Sequence, residues 1–141
     1  MIFRLACLAA VAPVLVGCTG AGKHEAASLV NAVDAFRHAA GPAKATRGKV
    51  VADVPCSDTK VCDAKQACVA AIEPTVRALA LKDEVTARVA DIEKGILAKD
   101  SPEAQALPGK LDEAEKLLTD GRAKMQACDA KLTDLHIDFG V

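Results

Sequence analysis

Aromatic residues are nearly missing from this chain: of 141 residues none is Trp or Tyr and three are Phe. Stacking platforms for sugars, bases or flavins are thereby almost excluded. An excess of one charge is missing too, with 18 Lys and Arg against 19 Asp and Glu, so no electrostatic case for nucleic acid exists. There are 6 Cys but no C-x-x-C pair of the kind zinc sites usually show, and no C-x-x-C-H for haem attachment. The one uninterrupted apolar stretch, Leu5 to Val16, is too short to span a bilayer as a helix.

What surrounds that stretch is more informative than its length. Arg4 precedes it, and it closes with Leu15, Val16, Gly17 and Cys18: a charged start, an apolar h-region, then a small residue before a cysteine. The segment resembles a bacterial lipoprotein precursor. The resemblance implies cleavage before Cys18, diacylglycerol on its thiol and usually an acyl group on its new amino terminus. Each buried methylene contributes about 0.8 kcal/mol, so two or three chains attach the protein to a membrane effectively for good. Residues 1–17 are then signal peptide, 18–23 a lipidated tether and 24–141 the domain. Thr19, in place of Asp, implies the outer membrane under enterobacteria-like sorting, with the domain facing the periplasm.

Removing residues 1–17 from the 141 leaves 124, one modest domain. Lys plus Arg falls from 18 to 17 with Arg4, against 19 acids, and Phe36 and Phe139 become the only aromatics. Cys7 leaves with the signal and Cys18 is lipidated. Cys56, Cys62, Cys68 and Cys128 remain as an even set in an oxidising compartment, which predicts two disulfides from three possible connectivities.

Along the mature chain every strong pattern is helical. Thr19–Lys23 reads as a short Gly-containing tether that keeps the domain close to the bilayer. Leu29, Val33, Phe36 and Ala40 form one stripe of a first helix that Gly41 and Pro42 end. A short helix over about 43–53 offers Val50, Val51 and Val54 before Pro55. Asp58 caps a long helix over about 59–97. Ser101 and Pro102 open the next, whose Leu107, Leu111, Ala114, Leu118, Gly121, Met125, Cys128, Leu132 and Leu135 alternate spacings of three and four as a heptad seam. The fold class expected is all-α: a small bundle of three main helices, with a short fourth, built on a long antiparallel hairpin.

Folding the two long helices about a turn at 98–100 pairs residues equidistant from position 98: Ile92 with Ala104, Val85 with Leu111, Ala78 with Leu118, Ala71 with Met125, Ala64 with Leu132. Large side chains mostly face small ones. Cys68 falls opposite Cys128, so that pair would staple the hairpin while Cys56–Cys62 pins the turn before it. The competing pairing, Cys62–Cys128 with Cys56–Cys68, needs the last helix shifted by about a turn. Pro74 should kink the third helix near Gly121, where missing bulk admits a bent neighbour. Pro108 requires that the fourth helix start there, after a separate turn, or bend there. Glu84–Arg88, Asp112–Lys116 and Asp120–Lys124 have the spacing of surface ion pairs.

No constellation of residues points to catalysis. Cys62 and Cys68, six apart on a helix, face different ways and cannot readily share an ion with His24, His38 or His136. Ser57 and Ser101 read as helix caps, and the carboxylates lie beside lysines on solvated faces. Lys82, on the seam facing Ala114, snorkels to water, and His136 suits the carbonyls of a helix end. Leu135, Ile137, Phe139 and Val141 alternate with polar residues as a tail that packs on the bundle or offers itself to a partner. The expected function is therefore non-enzymatic, without metal or cofactor: an envelope protein that scaffolds, spaces or binds another envelope component, its partners being the membrane and an unidentified envelope protein. The alternative is a small-ligand or metal-handling module using the Ala-rich seam.

Overall fold

The computed structural model describes residues 19–141. Four helices follow in order: α1 (Thr19–His38), α2 (Gly41–Asp53), α3 (Thr59–Glu93) and α4 (Pro102–Phe139). All-α architecture and a long antiparallel α3–α4 hairpin are what the periodicities require.

The hairpin has the register set by its turn. A side chain at Gly121 would meet Thr75 Oγ1 at 2.5 Å and the Ala71 carbonyl at 3.1 Å, so Gly121 and Thr75 lie at equal distances from position 98. Cys68 and Cys128, likewise equidistant, have Cα atoms 4.5 Å apart at disulfide distance, and Cys56 and Cys62 pair with Cα atoms 5.2 Å apart. Pro74 is buried inside α3 directly beside this crossing. It removes one backbone donor, and Gly121 supplies the close approach.

Gly121→Ala is accordingly expected to destabilise the domain by about 1–3 kcal/mol, outweighing the gain of up to about 1 kcal/mol that Ala brings to a helix interior. Adding Thr75→Ala should recover part of the loss, because the nearest obstructing atom is the Thr75 hydroxyl. Chemical denaturation of the two variants measures both effects.

Helices α1 and α2 cover only one half of the hairpin. Leu29, Val33 and Phe36 of α1 and Val51 of α2 are buried with Val61, Ala64, Cys68 and Ile72 of α3 and Cys128, Leu132 and Leu135 of α4. A side chain at Gly48 of α2 would lie 2.9 Å from Ile72, while Lys65 donates to the Val54 carbonyl at 2.9 Å. Helix α2 thus descends antiparallel to α3, and its start reaches no further than the level of about Ala78. Beyond that level α3 and α4 continue as a bare two-helix arm.

Several boundaries differ from those the sequence predicts. Thr19–Lys23 is the first turn of α1, not a flexible tether. The lack of a side chain at Gly22 lets α1 lie against Phe139 and Asp58, which a Cβ would meet at 3.1 and 3.4 Å. Gly41 and Pro42 open α2 instead of closing α1, since proline suits a first helical turn. The α1 carbonyls of Phe36 and Arg37 accept instead from Lys44 Nζ, at 2.8 and 3.1 Å.

Helix α3 stops at Glu93 because Gly95 takes a left-handed φ of 73°, and the Ile96 and Leu97 amides turn back to the Asp91 carbonyl. Helix α4 begins at Pro102 and runs through Pro108 with no separate turn. The alternating tail is helical to Phe139, where left-handed Gly140 closes α4. Leu135 is buried while Ile137 stays 77% exposed, as a helix and not a strand dictates.

Candidate functional site

Cys18, the lipidation candidate, lies outside the described residues. Thr19 directly follows it and starts α1, and the contacts at Gly22 fix which end of the bundle that is. The start of α1, the Asp58 cap of α3 and the end of α4 share one pole. The α3–α4 turn occupies the other. Thirty-five residues of α3 put about 50 Å between the two, at 1.5 Å per residue.

The pole where α1 starts is fastened by polar contacts. The Glu25 carboxylate accepts from the Ser57 amide at 2.7 Å, from the Ser57 hydroxyl at 2.8 Å and from the Asp58 amide at 3.4 Å. Asp58 in turn caps α3 by accepting from the Lys60 and Val61 amides. Ser57 therefore serves Glu25 and not a helix end, whereas Ser101 does cap α4 through the Ala104 amide. Lys60 meets Asp138 at 2.7 Å, tying the start of α3 to the end of α4, and this hydrogen bond raises the lysine pKa. His136 lies in the last turn of α4, and its ring nitrogen meets the Val141 carbonyl.

Hydrogen bonds from the Ser57 backbone, then from its hydroxyl, hold the Glu25 pKa below its ordinary value of 4.5. A carboxylate depressed in the folded state stabilises that state above its unfolded pKa. The contribution disappears as pH falls through the lower native value. Denaturation midpoints measured between pH 6 and the acid limit should fall less steeply in Glu25→Gln than in the native chain, although Gln starts lower at neutral pH. Parallel curves would remove Glu25 from the clasp.

The arm at the other pole has two unlike flanks. Arg77, Glu84 and Arg88, on one face of α3, pair across the hairpin with Glu113, Lys110 and Glu103 on one face of α4. Glu84 and Arg88 thus choose partners on α4 instead of each other, while Asp120–Lys124 forms as its spacing predicts. The opposite flank has no such closure. Val89 and Leu111, assigned to the seam by sequence, are 43% and 47% exposed, and Lys82 there is also exposed. Val85, Leu107 and Ala114 keep the seam itself buried.

Below the arm the same flank is occupied. Steps of seven run from Val89 through Lys82 and Thr75 to Cys68 and Val61, and from Leu111 through Leu118 and Met125 to Leu132. The lower members belong to the core that α1 completes, where Arg37 of α1 reaches Met125 and Asp129. The open flank is the continuation of the face that α1 covers.

One concave feature lies elsewhere. A groove of about 260 Å³ between α2 and α3 is floored by Ala45, Gly48, Val69, Ile72 and Val76, with exposed Lys49, Glu73 and Arg77 at its edge. Among the described residues no group of three His, Cys, Asp or Glu is placed to hold a metal ion, and no buried side-chain polar atom lacks a partner. His24, His38 and His136 are all exposed. The groove and the open flank both escaped the sequence, because each depends on where α2 and α1 end and not on any motif. No protein-family model, curated protein or solved structure matches the chain.

Proposed function

We propose that this chain is a lipid-anchored, extracytoplasmic protein of the bacterial envelope, a non-enzymatic spacer that holds a helical hairpin away from the membrane toward another envelope component. The L-V-G-C segment ending at Cys18 supports the anchor. The observation that carries the spacer reading is the position of α1, whose first turn rests beside Asp58 and Phe139. An anchor on the preceding residue puts the hairpin turn about 50 Å from the lipid surface. Because α1 is helical from Thr19, the linkage to the bundle is short, and the arm's height above the membrane is narrowly set. On the sorting pattern of Thr19 the membrane is the outer one, and the arm points into the periplasm.

Mass spectrometry of the chain purified from a bacterial membrane fraction tests the anchor. The mature protein is expected to begin at Cys18 carrying diacylglycerol, and Cys18→Ala should retain Met1 or leave the membrane fraction. An intact Met1 in the native chain, or an unacylated mature end, overturns the reading. Site-specific photo-crosslinking from Leu97, at the far turn, tests the spacer. Capture of one defined envelope protein in intact cells is expected, and the absence of any adduct with a protein other than this chain would oppose it.

A small-ligand role finds its best support in the α2–α3 groove, which replaces the helical seam as the place for an apolar molecule. Native mass spectrometry of the protein released gently from cells would show a co-purifying small molecule in that case.

A further inference from the structure

We infer that the open flank of the arm is covered by the same flank of a second copy of this chain, the two arms lying parallel as a four-helix bundle above one membrane. The inference rests on the anchored reading for its direction, since two copies held in one bilayer at the same pole must point the same way. A twofold axis along the arms then sets α3 of each copy over α4 of the other. These helices run antiparallel, and the levels that match within one hairpin also match between the two.

The side chains on the flank suit that arrangement. Val89 of one copy comes to the level of Leu107 of the second, one helical turn from Leu111, so the half-exposed Val89 and Leu111 cover the same stretch of the facing flank. Lys82 comes to the level of Glu115 of the second copy. Both are exposed, and neither belongs to an ion pair among the described residues, although every charge along the other flank of the arm that faces its neighbouring helix is paired. Around the twofold axis Lys82 and Glu115 alternate in sign, which favours this pairing over a slipped one. The same stripe lower on the hairpin is already covered by α1, so the second copy continues a packing that the chain itself begins.

The size of the flank sets the strength. Helix α3 from Ala78 to Glu93 extends about 24 Å, and two helices abreast are about 20 Å wide, giving a face of roughly 480 Å². A stable association in solution needs about 800 Å² from each partner. The pair is therefore weak between free molecules and depends on the local concentration that a shared membrane supplies.

The test uses the full-length chain in bacterial cells, with the membrane fraction examined first. Val89→Cys treated with a bis-maleimide of about 13 Å, close to the diagonal between the two α3 helices of a four-helix bundle whose adjacent helices lie about 8–10 Å apart, should give a cross-linked dimer, whereas Ala80→Cys, exposed on α3 away from this flank, should not. Lys82→Glu in the Val89→Cys background should reduce the dimer about two- to five-fold, in keeping with exposed charge pairs, and adding Glu115→Lys should restore it. Membrane-bound protein that yields only monomer, or equal dimer from Ala80→Cys, overturns the pairing and leaves the anchor intact. Protein absent from the membrane fraction overturns the anchor instead. Sedimentation of that soluble chain near millimolar concentration then decides the pairing, and a monomer there overturns it.

Discussion

Replacing both Cys68 and Cys128 with Ala is expected to lower the stability of the domain by about 4 kcal/mol, the loss the chain-entropy relation gives for a closed loop of this size. The two residues are 60 apart in sequence, and their bond closes most of the α3–α4 hairpin into one loop. For a domain of this length the loss corresponds to a fall of about 15 °C in Tm. Cys56 and Cys62 are separated by 6 residues, so removing that pair should cost about 2 kcal/mol by the same relation. The ordering follows from loop length alone, and it distinguishes the staple from a generic effect of losing sulfur. Thermal and chemical denaturation of the two double variants, beside the reduced native chain, provide the comparison. Both Cys68 and Cys128 are fully buried, so the Ala variant should also be slightly less stable than the reduced native protein. Equal losses from the two pairs would contradict the argument.

The staple is legible in the sequence because a heptad seam carries two kinds of information. It gives the face of each helix that is apolar, and with a turn of known position it gives the register. Hence Cys68 opposite Cys128, and Gly121 beside Pro74, followed from spacing. A seam does not say how many neighbours cover a helix. Val89 and Leu111 satisfy the heptad as well as Val61 and Leu132 do, yet they are exposed because α1 and α2 are too short to reach them.

Local signals failed where tertiary contacts chose between two permitted conformations. Gly20 and Gly22 allow a tether, but Gly22 also allows the close approach to Phe139, and α1 extends to Thr19. Leu135 to Val141 alternate with the period of a strand, but Leu135 lies in line with Leu132 and Cys128 on the helical stripe, and α4 continues. Glu25 carries no motif at all; its role appears only when the corner at Ser57 folds back against α1.

Leu29→Ala is expected to be among the costliest single truncations, at about 2–5 kcal/mol, the range for deleting a leucine side chain from a close-packed interior. Leu29 and Leu135 are the largest fully buried side chains, and Leu29 is held in the stripe with Val33 and Phe36 by which α1 docks on the hairpin. The hairpin is stapled independently by Cys68–Cys128, so the damage should be uneven. Amide hydrogen exchange should accelerate most in α1 and α2, whose attachment depends on this stripe, and less in α3 between Val61 and Ala78. The comparison residue is Val89, an apolar seam residue 43% exposed on the arm; its truncation in the isolated, unanchored chain should cost below about 1 kcal/mol, because nearly half of its surface is already in water and only the rest is lost from packing. In the membrane-bound chain the same truncation should instead reduce cross-linking between arms. A loss from Leu29→Ala no greater than that from Val89→Ala in the isolated chain would mean that α1 is not part of the core, and the proposed short connection from anchor to arm would fall with it.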